Sequence, residues 1–436
     1  MLSRRLFLGS LSIPVGAALA GAGWLPRAHA RTLPMLSDLA SDARLPSVVA
    51  RDESFWLHAQ QAFTVDRSLV NLNNGGVCPS PAVVQEAMKR HLDFSNTAPT
   101  HAMWRVLEPR REGVRQRLAR YLDCGPEEVA LTRNASEGLQ ICQAGMDLEP
   151  GDEVLTTNQD YPRMIQTYRQ LEARRGIVLR QLSLPVPAED PGEVVRRFEE
   201  SITARTRAIL MCHVINLTGQ ILPVRGVVEM ARARGIPVIV DGAHSFAHFP
   251  FTIDELGCDY FATSLHKWLC APHGTGLLYV RRDRVEELWP LQAPPVDRTD
   301  DIRKFEEIGT HPAAPYLAVG EALTFHLGLG SERKSERLRY LKDYWATRLL
   351  ENERVRLHTS LQPDFACGLA TVQVEGIDSA RLTDHLWSEH KIITTTIKHE
   401  EFEGVRVSPN VYTHLEELDR FCDAVETVIE RGIEES

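Results

Sequence analysis

None of the eight cysteines stands in a CxxC pair or at a metal-ligand spacing, which argues against a disulfide scaffold and against a zinc or iron–sulfur centre. The thiols read instead as scattered, buried apolar groups. Also missing are GxxxxGK[ST], HExxH and GxSxG, and the nearest approach to a dinucleotide loop, Gly328 and Gly330, lacks its third glycine. Beyond residue 30 no apolar run is long enough to span a bilayer. Basic residues are outnumbered, 49 Lys and Arg against 59 Asp and Glu for a net charge of −10, so a nucleic-acid backbone is a poor partner. What is present is ordinary for a globular chain: 436 residues, 43% hydrophobic and 25% charged. That length supports two or three domains and a cleft between them.

The first thirty residues read as an address. Ser3-Arg4-Arg5-Leu6-Phe7-Leu8 is followed by a Gly- and Ala-rich apolar stretch to Leu25 and then by Ala28-His29-Ala30. This is the pattern of a twin-arginine export signal with an A-x-A cleavage site. The expectation is removal after Ala30, passage through the twin-arginine translocase in the folded state, a periplasmic location, and no stable membrane insertion afterwards. A folded export route suits an enzyme that collects its cofactor before leaving the cytoplasm.

Residues 31–70 form an arm or the first piece of a smaller domain, with a helix expected around 54–63. From there to about residue 310 short β-branched runs alternate with helix-like stretches. The runs fall at 128–131, 153–156, 177–179, 208–212, 237–240, 260–262 and 276–280. Strands alternating with helices predict an α/β domain over 71–310 with a mostly parallel seven-stranded sheet. A smaller α+β C-terminal domain is expected over 311–436. It would hold a long helical segment at 318–351 broken near Gly328 to Gly330, a strand pair at 369–374 and 392–396, and a helix from Leu415.

The densest chemical signal is Ser264-Leu265-His266-Lys267-Trp268-Leu269, running on to Gly274-Thr275-Gly276. A lysine just past a strand end, preceded by hydroxyl and imidazole groups and followed by a Gly-x-Gly turn, has what a Schiff-base site needs: an amine held away from bulk water beside phosphate donors. Upstream, the strand Pro237-Val-Ile-Val ends in Asp241-Gly-Ala-His244. Asp241 there is either a helix N-cap or a carboxylate paired with a cationic ring nitrogen. Asn134-Ala135-Ser136-Glu137 follows a strand and has capping-box spacing. The helix N-terminus it opens offers N–H groups to a phosphate, with Ala135 and Ser136 as the cup.

Taken together, these motifs resemble the class V aminotransferases, fold-type I pyridoxal 5′-phosphate (PLP) enzymes that include cysteine desulfurases and isopenicillin N epimerase. His-Lys-Trp-Leu-x-x-Pro-x-Gly is similar to the epimerase branch. The resemblance implies PLP as cofactor, with Lys267 as the Schiff-base lysine and Ser264 and His266 at the phosphate. Asp241 falls at the pyridine nitrogen and His244 near the phenolic oxygen. It further implies Tyr161 stacked on the ring, Asn216 at the phenolic oxygen, and Thr310 of Gly309-Thr310 reaching the phosphate of a neighbouring subunit in a homodimer. Arg406 would clamp the substrate carboxylate, as suits a planar bidentate donor, and Asn74 would lie on the substrate side. His213, by contrast, fits equally well as a satisfied core histidine.

Desulfurases of this family place a catalytic cysteine shortly before the arginine, and no cysteine lies between Lys391 and Arg406, so that activity is set aside. The export signal points to a molecule matured outside the cytoplasm. The chain resembles exported epimerase-like enzymes that rework the glutamate side chain of the peptide siderophore pyoverdine by transamination or oxidative decarboxylation, and this is the expected function. The alternative is an amino-acid epimerase or C–S lyase of the isopenicillin N epimerase type.

Overall fold

A computed structural model describes residues 35–433, and the expected leader over residues 1–30 lies outside the described residues. Thirteen strands form among the described residues. They are β1 (Val70–Asn71), β2 (Val129–Thr132), β3 (Glu153–Thr157), β4 (Val178–Leu182), β5 (Thr206–Cys212), β6 (Val238–Asp241), β7 (Tyr260–Ser264), β8 (Gly276–Val280), β9 (Val355–Leu357), β10 (Ala370–Val374), β11 (Ile392–Ile393), β12 (Thr395–Lys398) and β13 (Glu403–Val407). Seven of them make one sheet in the order β2-β8-β7-β6-β5-β3-β4. Only β8 runs against its neighbours, β7 and β2; every other pairing in this sheet is parallel. The seven expected runs are these seven strands, each end matched to within three residues. Strands β2, β3, β5, β6, β7 and β8 are buried almost throughout, which is why they read as continuous apolar runs rather than alternating ones.

Helices cover both faces of the sheet, and a separate apolar cluster lies against each. Those that matter for the site are α1 (Ala82–Thr97), α2 (Ala135–Gly145), α3 (Pro162–Arg175), α4 (Ala314–Leu329), α5 (Ser331–Leu349) and α6 (Leu415–Arg431). The expected long helix is two, α4 and α5. Gly330 breaks it at φ 86°, a left-handed conformation open to glycine and costly to other residues.

A four-stranded sheet of order β12-β13-β10-β9 belongs to the second unit, and α5 and α6 pack over it around Trp345 and Phe421. One expectation fails here. Residues 369–374 and 392–396 are not partners: β10 pairs with β13 and β9, β12 pairs with β13, and β11 pairs in parallel with β1. Of the strands that were not expected, β1, β9 and β13, the last begins Glu403-Gly404, too polar to stand out. Its insertion between β12 and β10 sets the position of Arg406. Among the described residues no helix is long and apolar enough to cross a membrane.

Candidate active site

The chain leaves the sheet at the carboxyl ends of β2, β3, β5, β6 and β7, and the residues just beyond those ends surround one cavity of about 1010 Å³. Open α/β sheets place ligands there, at the reversal of strand order. Ala135, Ser136, Tyr161, Asn216, Asp241, His244, Ser264, His266, Lys267 and Arg406 all line it. Ten of the twelve candidate positions are thus brought together from segments spread over 270 residues.

Lys267 sits in the turn after β7, and its Nζ lies 2.9 Å from His244 Nε2. Burial pushes its amine down to about 8; Asp241 opposes that shift and Arg406 adds to it. Asp241, at the last position of β6, is buried and accepts a hydrogen bond from the Ala243 N–H at 2.9 Å. Burial raises its carboxyl to about 6, against the pull of that N–H and of Lys267. Burial, then Lys267 and Arg406, hold His244 well below the usual imidazole range. It is therefore neutral and can accept from the lysine. His248 steadies this corner: it hydrogen-bonds the His244 carbonyl through Nδ1 at 2.7 Å, accepts the Gly368 N–H on Nε2 at 2.8 Å, and stacks on Trp268 at 3.8 Å.

At the other end of the cavity α2 begins. Asn134 caps it, its Oδ1 accepting from Glu137 N at 2.8 Å, while the Ala135 N–H donates to Ser264 Oγ at 2.9 Å. That contact requires β8 to start almost against the cap. A Cβ on Gly276 would lie 2.5 Å from Asn134 Cα, so the Gly-x-Gly turn is a steric requirement. The helix N-terminus, the Ser136 and Ser264 hydroxyls and the His266 ring form one polar end suited to a dianion. His266 is held down to about 4, by burial first and Lys267 second, and contacts the Thr275 carbonyl through Nδ1 at 3.2 Å.

Arg406 projects from β13 as a buried cation with no carboxylate partner among the described residues. Its Nη1 donates to the Asn216 carbonyl at 2.9 Å and its Nη2 to Asn73 Oδ1 at 3.0 Å, and burial lowers it to about 10. Arg406 Nε, Asn216 Oδ1 and His244 Nδ1 are all buried with no hydrogen-bond partner among the described residues. Gathered around one cavity, these three atoms are free to bond a ligand or water held there.

Two expected residues stand elsewhere. Asn74 does not face the cavity; its amide donates to the Asn71 and Ser408 carbonyls and its Oδ1 accepts from Tyr412 at 2.6 Å. Its side chain is consumed in pinning the loop whose Gly75 and Gly76 line the wall. Asn73, one residue earlier, makes the contact with Arg406. Thr310 is exposed, in a small cleft with Trp104, Arg111 and His311, away from the cavity of its own chain. Sequence reasoning also passed over Asp160. Its buried carboxylate takes the Cys212 N–H at 2.7 Å and the Thr156 and Thr157 hydroxyls, fixing the loop that presents Tyr161.

The donor set fits PLP. The α2 end suits the phosphate, Asp241 the ring nitrogen, His244 and Asn216 the phenolic oxygen, and Lys267 the aldehyde. With an amine near 8, loading of the cofactor-free protein is expected to rise roughly tenfold with each unit of pH increase up to about 8 and to level off above it. Stopped-flow absorbance with added PLP between pH 6 and 10 measures this.

The sequence profile of the aminotransferase class-V family matches residues 70–421. Isopenicillin N epimerase of Streptomyces clavuligerus is 32% identical over 391 residues, covering 86% of this chain and 98% of that one. A probable cysteine desulfurase of Pseudomonas aeruginosa is 28% identical over 407 residues, covering 85% and 96%. Among solved structures, a Lys-to-Ala mutant of C-DES with glycine covalently linked to its PLP cofactor aligns with a TM-score of 0.75 at 22% identity, covering 84% of this chain and 98% of that one. At that identity the likeness speaks for the fold.

Proposed function

The chain belongs to the aminotransferase class-V family, and on that footing we propose that it is a PLP enzyme acting at the α-carbon and amino group of a glutamate-type moiety carried on a larger peptide. The substrate is a pyoverdine-type siderophore, modified in the periplasm by transamination or oxidative decarboxylation. Thr310 of each subunit completes the phosphate site of its partner in a homodimer. The observation that carries the catalytic part is the Lys267–His244 contact at 2.9 Å, in the same cavity as the buried Asp241.

When bound, PLP supplies an electron sink for the bonds at the substrate α-carbon. Buried Asp241 would hold a negative charge toward the ring nitrogen. Lys267, near 8, is partly free base at neutral pH and so can take a proton from the α-carbon and return it. Neutral His244 receives an N–H of that amine and orients it. Arg406, held by Asn216 and Asn73, offers its remaining donor edge to a carboxylate.

The peptide part is supported by the cavity's extent. It extends along α2 and α3, where Gln140, Arg163, Gln166, Thr167 and Gln170 line it, a polar channel with room beyond a single amino acid. The leader-like sequence at residues 3–30 supports the location. To test the reading, secreted peptides of a host making the native protein are compared by mass with those of a host making the Lys267→Ala form. An unmodified glutamate side chain confined to the variant host is the expected result; identical profiles would remove the peptide substrate.

The second reading, an epimerase, rests on the identity to isopenicillin N epimerase. Reaction in deuterated water separates the two, since epimerisation keeps the amine and deuterates the α-carbon. For either reaction Arg406→Lys is expected to raise KM for the amino-acid substrate about 10- to 100-fold with a smaller change in kcat, because a point charge replaces a planar fork. Steady-state kinetics on the two forms measures it.

A further inference from the structure

Behind the cavity wall lies a cluster that catalysis leaves unused. Cys78 ends the loop that presents Gly75 and Gly76 to the cavity, and its N–H donates to the His266 carbonyl at 3.1 Å. Cys270 closes the lysine turn, its N–H donating to the Lys267 carbonyl at 2.9 Å. The two thiols meet at one amide: Asn410 Nδ2 is 3.0 Å from Cys78 Sγ and 3.8 Å from Cys270 Sγ. Both cysteines are buried. Cys270 stands at φ 57°, where a glycine is the usual occupant.

A buried cation completes the cluster. Lys334, from α5, has its ammonium against the Trp268 carbonyl and has no carboxylate within ion-pair range among the described residues. The charges acting on it are the thiols of Cys270, Cys78 and Cys367. The Cys78 thiol lowers Cys270 against its burial, with Lys334 adding a smaller pull, while burial raises Cys78. The two sulfurs therefore share one amide donor beside a buried cation.

We propose that Cys78 and Cys270 form a redox-active dithiol that a small hydroperoxide, entering through the cavity, converts to a disulfide joining the Gly75–Gly76 wall to the Lys267 turn. Cys270 Sγ attacks one oxygen of hydrogen peroxide; the O–O bond breaks, hydroxide leaves and is protonated to water, and Cys270 becomes a sulfenic acid. Cys78 Sγ then attacks that sulfur; the S–O bond breaks and the hydroxyl departs with the Cys78 proton as a second water. The two thiols lose two electrons and one peroxide gains them. The oxidised form also loses the Cys78 S–H bond to the Asn74 carbonyl, 3.2 Å in the reduced form, so the wall next to Arg406 is re-set. The proposal does not depend on which amino acid the enzyme processes.

The test uses the purified holoenzyme, reduced, exposed to a small excess of hydrogen peroxide, denatured in alkylating reagent and digested. A linked peptide pair containing Cys78 and Cys270, cleaved by dithiothreitol, with the other six cysteines alkylated, is the expected result. Alkylation of both Cys78 and Cys270, a link of either to Cys367, or sulfonic acid on either without a link would overturn it. Lys334→Met is expected to slow formation of the link about tenfold or more at pH 7; an unchanged rate would overturn the role given to that cation. The wild-type mapping needs no variant, so a failure of Lys334→Met to fold leaves the test intact.

Discussion

Lys267→Ala is expected to lower turnover by about 10⁴-fold or more while leaving the protein folded. Among the described residues the side chain hydrogen-bonds only the His244 ring, and its loss takes away both the expected covalent anchor for the aldehyde and the base that moves the α-proton. General acid–base catalysis alone accounts for roughly 10² to 10⁴, and the loss of nucleophilic anchoring adds to it. The phosphate end is untouched, because Ala135, Ser136, Ser264 and His266 bind without the lysine. The variant should therefore still bind PLP, reversibly, and release it on dialysis. Circular dichroism, dialysis and single-turnover kinetics check the three parts together. Retained turnover within tenfold of the native enzyme would contradict the assignment.

Asp241→Asn carries the second large effect, a fall in kcat of about 10² to 10³. The asparagine keeps the shape and can keep the Ala243 N–H bond, but it brings no charge to the ring nitrogen, so electron withdrawal from the α-carbon weakens. A second consequence follows from the electrostatics. Asp241 raises the Lys267 amine, so in the variant the midpoint of cofactor loading moves below pH 8. The same stopped-flow series used for the native protein measures that shift. A variant that loses activity with an unchanged loading profile would show that the two groups do not sense each other.

The residues that were legible in sequence are those whose role is written locally. Lys267, Asp241 and Ala135 each lie within a few residues of a strand end, and an apolar strand followed by a polar turn is a short-range pattern. The sheet itself was readable for the same reason, since each buried parallel strand is a compact β-branched run. What escaped was set by long-range pairing. Arg406 meets Asn73 across 333 residues of chain, and β13 earns its place only by lying between β10 and β12. The choice of Asn74 over Asn73 turned on which of two adjacent asparagines faces the cavity, and a one-residue shift in an extended segment reverses the facing. That facing is decided by the bridge between Asn73 and Ser408, which no local pattern announces. The meeting of Cys78 with Cys270 is of the same kind.

The account turns on Lys267 as the point of cofactor attachment. Borohydride reduction of the holoenzyme followed by peptide mapping tests it most directly. The account predicts a phosphopyridoxyl group on the peptide containing Lys267 and on no other lysine. Recovery of that peptide unmodified, with the label on Lys334 or another lysine, would contradict it.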